Sequence, residues 1–145
     1  MGARVRQLVY LDAFVPAAGD TVVGLAGRDV LEQIVLGADW LVPPPQRAFD
    51  DPDEAVWQNQ RRTPHPLGCF TEPVRLAQPL ERLPCTRTYI KATAEGADAP
   101  GSQAFWSAAE MAKASPAWRY RELATTHMLA SNRPADLARV LLELT

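Results

Sequence analysis

The chain has 145 residues, 47% of them hydrophobic and 22% charged, with a formal net charge of -2. This suits one soluble domain with a real core and excludes a wholly disordered chain. No basic field is present to hold a phosphate backbone, the densest cationic group being Arg61-Arg62, so nucleic acid is not an expected partner.

The first element is residues 5–14 (VRQLVYLDAF), a β-branched and aromatic run closed by Pro16, which predicts a buried strand. Residues 17–84 read differently. They hold Pro43-Pro44-Pro45 and Pro64-His65-Pro66 together with Trp40, Phe49, Trp57 and Phe70. That stretch is too long for a crossover and too apolar for a linker, so a helical cap inserted between two strands is expected. Within it, Asp51-Pro52-Asp53-Glu54 supplies an N-cap, a proline at N1 and an acidic first turn, predicting a helix to about Arg62.

Residues 86–93 (TRTYIKAT) predict a second strand, ending in the turn-rich AEGADAPG. Residues 102–114 are alanine-rich, with Phe105, Ala108, Ala109 and Ala112 on one helical face. Residues 118–124 (WRYRELA) predict a third strand leading into Thr125-Thr126-His127. Pro134 opens a last helix in which Leu137, Val140, Leu141 and Leu144 recur at helical spacing. A helix between the second and third strands makes a βαβ unit, so that pair is expected to be parallel. The expected class is α/β: three parallel strands with flanking helices, divided into a core strand (1–16), a cap (17–84) and a C-terminal core (85–145).

Cys69 and Cys85 show neither CxxC spacing nor a disulfide framework and are expected as reduced thiols of a cytoplasmic protein. No apolar run approaches the ~20 residues of a membrane span. The start, MGARVR, lacks the features of a signal peptide.

His127 directly follows a strand, where parallel sheets open their ligand crevice, and a histidine there can act as a general base. Asp12 stands among apolar neighbours at the end of the first strand, a costly place for a carboxylate without a partner. Glu95 and Asp98 lie in the loop after the second strand, also at a crevice position. His65, between two prolines, is expected to be structural or solvent-exposed. None of Ser102, Ser107, Ser115 and Ser131 sits in a G-x-S-x-G elbow, and the sequence has no glycine-rich phosphate loop and no HExxH metal motif.

Together these segments resemble the C-terminal half of α/β hydrolases. VRQLVYLDAFVP resembles their sixth strand and RTYIKAT their seventh. WRYRELATTHMLASNRPADLARVLLEL resembles the eighth strand, the catalytic-histidine loop and the closing helix. TPHPLGCFTEPVRL is similar to the cap-to-core return of small esterases, in the branch of plant methylesterases and hydroxynitrile lyases. The resemblance implies a carboxylic ester hydrolase with a serine–histidine–acid mechanism and neither metal nor cofactor. It implies His127 as the base. For the acid, Asp12 stands four residues before Pro16, as in one subgroup of haloalkane dehalogenases. Glu95 matches the position after strand seven, where this branch has aspartate. Both stay as candidates, with Asp12 preferred.

Met128 stands where the lyases have lysine, so the resemblance favours an esterase, with Met128, Trp57 and Phe70 against a small apolar ester. It also implies that the serine elbow belongs to a half that this sequence lacks. The expectation is therefore a chain inactive alone, a truncated or split hydrolase that pairs with that half or self-associates through an unpaired strand edge. A non-catalytic module that binds small molecules is the alternative.

Overall fold

The computed structural model describes residues 5–27, 40–99 and 101–144. Three parallel strands form its main sheet: β1 (Gln7–Leu11), β4 (Thr86–Ala92) and β5 (Trp118–Leu123). Their spatial order is β1-β4-β5, with Tyr10 opposite Tyr89 and Tyr89 opposite Tyr120. The mixed α/β class and the three parallel strands agree with the sequence reading. β1 is shorter than expected because Asp12 leaves the strand with φ at 44°, a left-handed conformation.

β4 is the central strand and is buried on both faces, so its sequence runs nearly continuously apolar or β-branched. Alternate side chains serve two layers. Ile90 and Ala92 pack with Leu129, Leu137 and Val140 on one face. The last two belong to α6 (Pro134–Leu142), which begins with a proline at its first turn, and Leu129 opens the single-turn helix α5 (Leu129–Asn132). Tyr89 packs on the other face with Trp118 and with Ala109 and Ala112 of α4 (Gln103–Ala114). Small alanines at those two positions let the helix lie close to the sheet. The Tyr89 hydroxyl, inside this layer, donates to the carbonyls of Ala13 at 2.9 Å and Phe105 at 3.0 Å.

The described part of residues 17–84 is only partly helical. It holds α1 (Val22–Ala26), α2 (Pro52–Arg61), α3 (Gly68–Thr71) and a 3₁₀ turn at Leu80–Arg82. As the sequence indicates, Asp51 caps α2, its side chain accepting from the Asp53 N–H at 2.9 Å. An unforeseen two-stranded antiparallel sheet joins β2 (Leu41–Val42) to β3 (His65–Pro66). Two-residue strands carry no alternation to read, and the prolines around them read as breakers. Trp40 lies at the start of this sheet, exposed, with φ at 56°. Residues 28–39 and Thr145 lie outside the described residues, as do residues 1–4 of the first segment.

The segment is nevertheless tied to the core. The Asp50 N–H donates to Asn132 Oδ1 at 3.1 Å, Arg133 pairs with Asp50, and Gln58 donates to Ser131 Oγ at 3.4 Å. These bonds bring the start of α2 to α5, immediately after His127. Cys69 and Cys85 are free thiols. No described helix is long and apolar enough to cross a membrane.

Candidate active site

Asp12 and His127 are 115 residues apart in sequence and meet at the carboxyl ends of β1 and β5. His127 Nδ1 lies 2.9 Å from Asp12 Oδ2. Asp12 turns the chain at its φ of 44° while its N–H still donates to the Ile90 carbonyl at 2.8 Å. Aspartate is among the few residues other than glycine that tolerate this backbone region. The turn leaves its carboxylate over the end of the neighbouring strand rather than beyond the sheet. His127 is placed by its own loop. The Ala94 N–H donates to the Thr125 carbonyl at 3.0 Å, and Thr126 Oγ1 accepts from Asn132 Nδ2 at 2.8 Å. The imidazole then stacks on Phe105 of α4, with centroids 4.9 Å apart and planes 17° apart, and Phe105 rests in turn on Phe14.

The other oxygen of Asp12 is held by Lys91, which sequence reasoning passed over. Lys91 Nζ is 2.6 Å from Asp12 Oδ1 and also donates to the Ala92 carbonyl at 2.6 Å. Its remaining side is covered by the Trp106 ring, 4.4 Å from Nζ to the centroid. Both members of the ion pair are buried, at 2% and 3% side-chain exposure, whereas the His127 side chain is 27% exposed. The signal for Lys91 was present in the sequence: a lysine inside RTYIKAT, in a strand with two covered faces, requires a buried anion.

The electrostatics fix the proton on the histidine. Burial pushes the Asp12 carboxyl up, but the hydrogen bonds from His127 and Lys91 and the charges of both outweigh burial. The carboxyl is thus held below its ordinary value. An ionised carboxylate only accepts, so Nδ1 carries the hydrogen and Nε2 keeps its lone pair. Among the described residues, Nε2 has no polar partner. The arrangement can therefore accept a proton at Nε2 and stabilise the resulting imidazolium through Asp12.

The remaining sequence candidates lie elsewhere. Glu95 is exposed, and its backbone carbonyl accepts from the Trp106 indole at 3.0 Å. Met128 follows His127 and is half-buried. Trp57 is 52% exposed on α2, with Arg61 over its ring at 4.3 Å. Phe70 meets His65 edge-on at 6.3 Å, and His65 is exposed. Neither Trp57 nor Phe70 makes a ring contact with His127. Ser102 is buried and spends its hydroxyl on the carbonyls of Gly96 and Ala99, at 2.5 and 2.8 Å. Among the described residues, no cluster of three His, Cys, Asp or Glu side chains is placed to hold a metal ion. A hollow of about 350 Å³ lies between α1 and α4, lined by Phe14, Leu25, Ala104, Ala108 and Met111 among others. The Phe14–Phe105 contact joins its wall to the imidazole.

Fold and geometry define a mixed α/β protein with an acid–histidine pair at the carboxyl ends of parallel strands. No family model matches the chain. It is 28% identical over 155 residues to a carbendazim hydrolyzing esterase from Nocardioides sp. (strain SG-4G), an alignment covering 97% of this chain. The chain spans 62% of the length of that relative. The similarity is distant and is to a hydrolase.

Proposed function

We propose that this chain is the acid- and histidine-bearing part of a carboxylic ester hydrolase of α/β-hydrolase type. His127 takes the proton of a serine through Nε2, and Asp12 holds the tautomer and balances the imidazolium. Met128 and the hollow behind Phe14 receive the apolar part of the ester, beneath a cap built from residues 17–84. The core comprises residues 1–16 and 85–145. The reading is carried by the 2.9 Å contact between His127 Nδ1 and a buried, ionised Asp12. The similarity to an esterase supports it.

On this reading the serine comes from a segment outside the present sequence, which has no G-x-S-x-G. The chain alone should therefore leave p-nitrophenyl acetate unhydrolysed. Joining it to the portion of the similar esterase that it does not span should give hydrolysis that His127→Ala abolishes. A folded, inactive hybrid, or one indifferent to His127→Ala, refutes the assignment.

One observation favours a second reading, that of a self-associating module. β1 lies at an edge of the main sheet, its five residues half-buried. Such an edge invites a further strand, from a missing half or from another copy. Light scattering at micromolar concentration should show association, and a clean monomer counts against this reading.

A further inference from the structure

Two apolar hollows adjoin behind Phe14. The one already described, between α1 and α4, follows from helical spacing: Ala104, Ser107 and Ala108 are small, and Met111 closes the same face of α4. The second, of about 410 Å³, is lined by Pro16, Ala18, Leu76, Pro79 and Leu80 among others. Val15 and Met111 line both hollows, so these two side chains form a waist between them. Each hollow has the size of a small-molecule site. The Phe14 ring in the wall of the first lies 4.9 Å from Phe105, which stacks on His127 at 4.9 Å, so that wall is two ring contacts from the imidazole.

The walls of the second hollow are pinned. The Gly19 N–H donates to the Val74 carbonyl at 2.9 Å, and the Val74 N–H donates to the Asp20 carbonyl at 2.8 Å. These bonds tie the chain that leaves β1 to the segment that returns toward β4. The Asp20 carboxylate also accepts from the Ala17 N–H at 2.7 Å. On the other side, the buried Arg87 of β4 donates to the Leu80 and Leu83 carbonyls at 2.7 and 3.1 Å, which fixes the 3₁₀ turn. The hollow is therefore preformed, as ligand sites usually are. Met111, unbranched and 38% exposed, is the adaptable part of the wall.

Shape and charge select the occupant. Two spaces joined at a waist suit an extended, unbranched chain and reject a compact group of equal volume. Glu81 is the sole ionisable side chain lining either hollow, and among the described residues it forms no ion pair. No cation lines the walls to match an anion, and Glu81 repels one, so the occupant is uncharged.

We propose that the two hollows act as one channel for an unbranched aliphatic chain with an uncharged head, and that Met111 sets how far the chain reaches. Assigning that chain to the acyl group of an ester on which His127 acts rests on the hydrolase reading above; the channel is measurable without it. The full chain carrying ¹³C-methyl methionine has three such signals, from Met1, Met111 and Met128. It is titrated with ethyl butanoate, ethyl hexanoate and ethyl octanoate. The Met111 signal should move saturably, and each step of two methylenes should tighten binding about tenfold, the effect of burying two CH₂ groups. Ethyl 2-propylpentanoate, the branched isomer of ethyl octanoate, should bind at least tenfold more weakly than it, and so should the octanoate anion. Ala77→Trp, at an exposed position lining the second hollow only, should spare ethyl butanoate and weaken ethyl octanoate at least tenfold. Ser107→Trp, exposed and lining the first hollow only, should weaken all three esters.

Equal binding of the two isomers, or a chain-length series untouched by Ala77→Trp, overturns the channel. Octanoate binding as tightly as its ethyl ester overturns the uncharged head. Loss of the series in the hybrid with the similar esterase shows that protein fills the hollows, and overturns the channel as well. A folded, inactive hybrid that keeps the series upholds the channel and sinks the hydrolase reading alone.

Discussion

Lys91→Met is the sharpest test of the buried cluster, because it removes a charge while nearly preserving volume. At 2.6 Å the Lys91–Asp12 attraction is about 6 kcal/mol for an effective permittivity of ~20, against a desolvation cost of several kcal/mol for each ion. The intact pair thus nets little, but removing one partner leaves the other buried and uncompensated, which costs about 3–5 kcal/mol. Asp12 keeps His127 at 2.9 Å and a long contact from the Ala92 N–H at 3.4 Å, so the lower end, about 3 kcal/mol, is expected at pH 7.

The pH dependence has a definite sign. In the native chain the Asp12 carboxyl is held below its ordinary value, so its contribution is present above the unfolded value of 3.8 and is lost as pH falls through the lower folded value. In the variant, burial is opposed by His127 alone and the carboxyl rises. The deficit is therefore widest near neutrality and narrows in acid. Urea unfolding followed by far-ultraviolet circular dichroism at several pH values measures it. Asp12→Asn strands the Lys91 ammonium instead, and the double variant strands neither. The double variant should therefore lie at least about 2 kcal/mol above the sum of the singles. A Lys91→Met cost under about 1 kcal/mol at pH 7, or a cycle additive within ~0.5 kcal/mol, refutes the buried ion pair.

Asp12→Asn should also move the imidazole proton. The amide can donate to Nδ1, which favours the Nε2–H tautomer and removes the base, so ¹⁵N spectra of His127 should interchange the two ring nitrogens; an unchanged tautomer contradicts the geometry. Tyr89→Phe strands two carbonyls in the layer beneath α4 and should cost about 1–2 kcal/mol in urea unfolding, a neutral result opposing the Tyr89 bonds. Ile90→Val, at the centre of the other layer, should cost about 0.5–1.5 kcal/mol by the same measurement.

The legible parts of this chain are those where pattern and burial coincide. β4 and α6 announce themselves because a strand with two covered faces is rich in β-branched and apolar residues and a one-faced helix repeats at helical spacing. Asp12 and His127 could be singled out because an acid and a histidine at strand ends need a reason. Their contact with each other was not legible, since it depends on the left-handed turn at Asp12 and on sheet order. β2 and β3 escaped because a two-residue ladder among prolines leaves no pattern.

Asp12 is held by two donors at once, one on each oxygen, and this constrains how the histidine is oriented. A carboxylate bound only to an imidazole can rotate and offer either oxygen. Here Lys91 occupies Oδ1 and His127 occupies Oδ2, so the plane of the carboxylate is fixed at both ends. On the proposed hydrolase reading, that fixed plane holds the imidazole in one orientation while its proton is taken up and passed on to a leaving group.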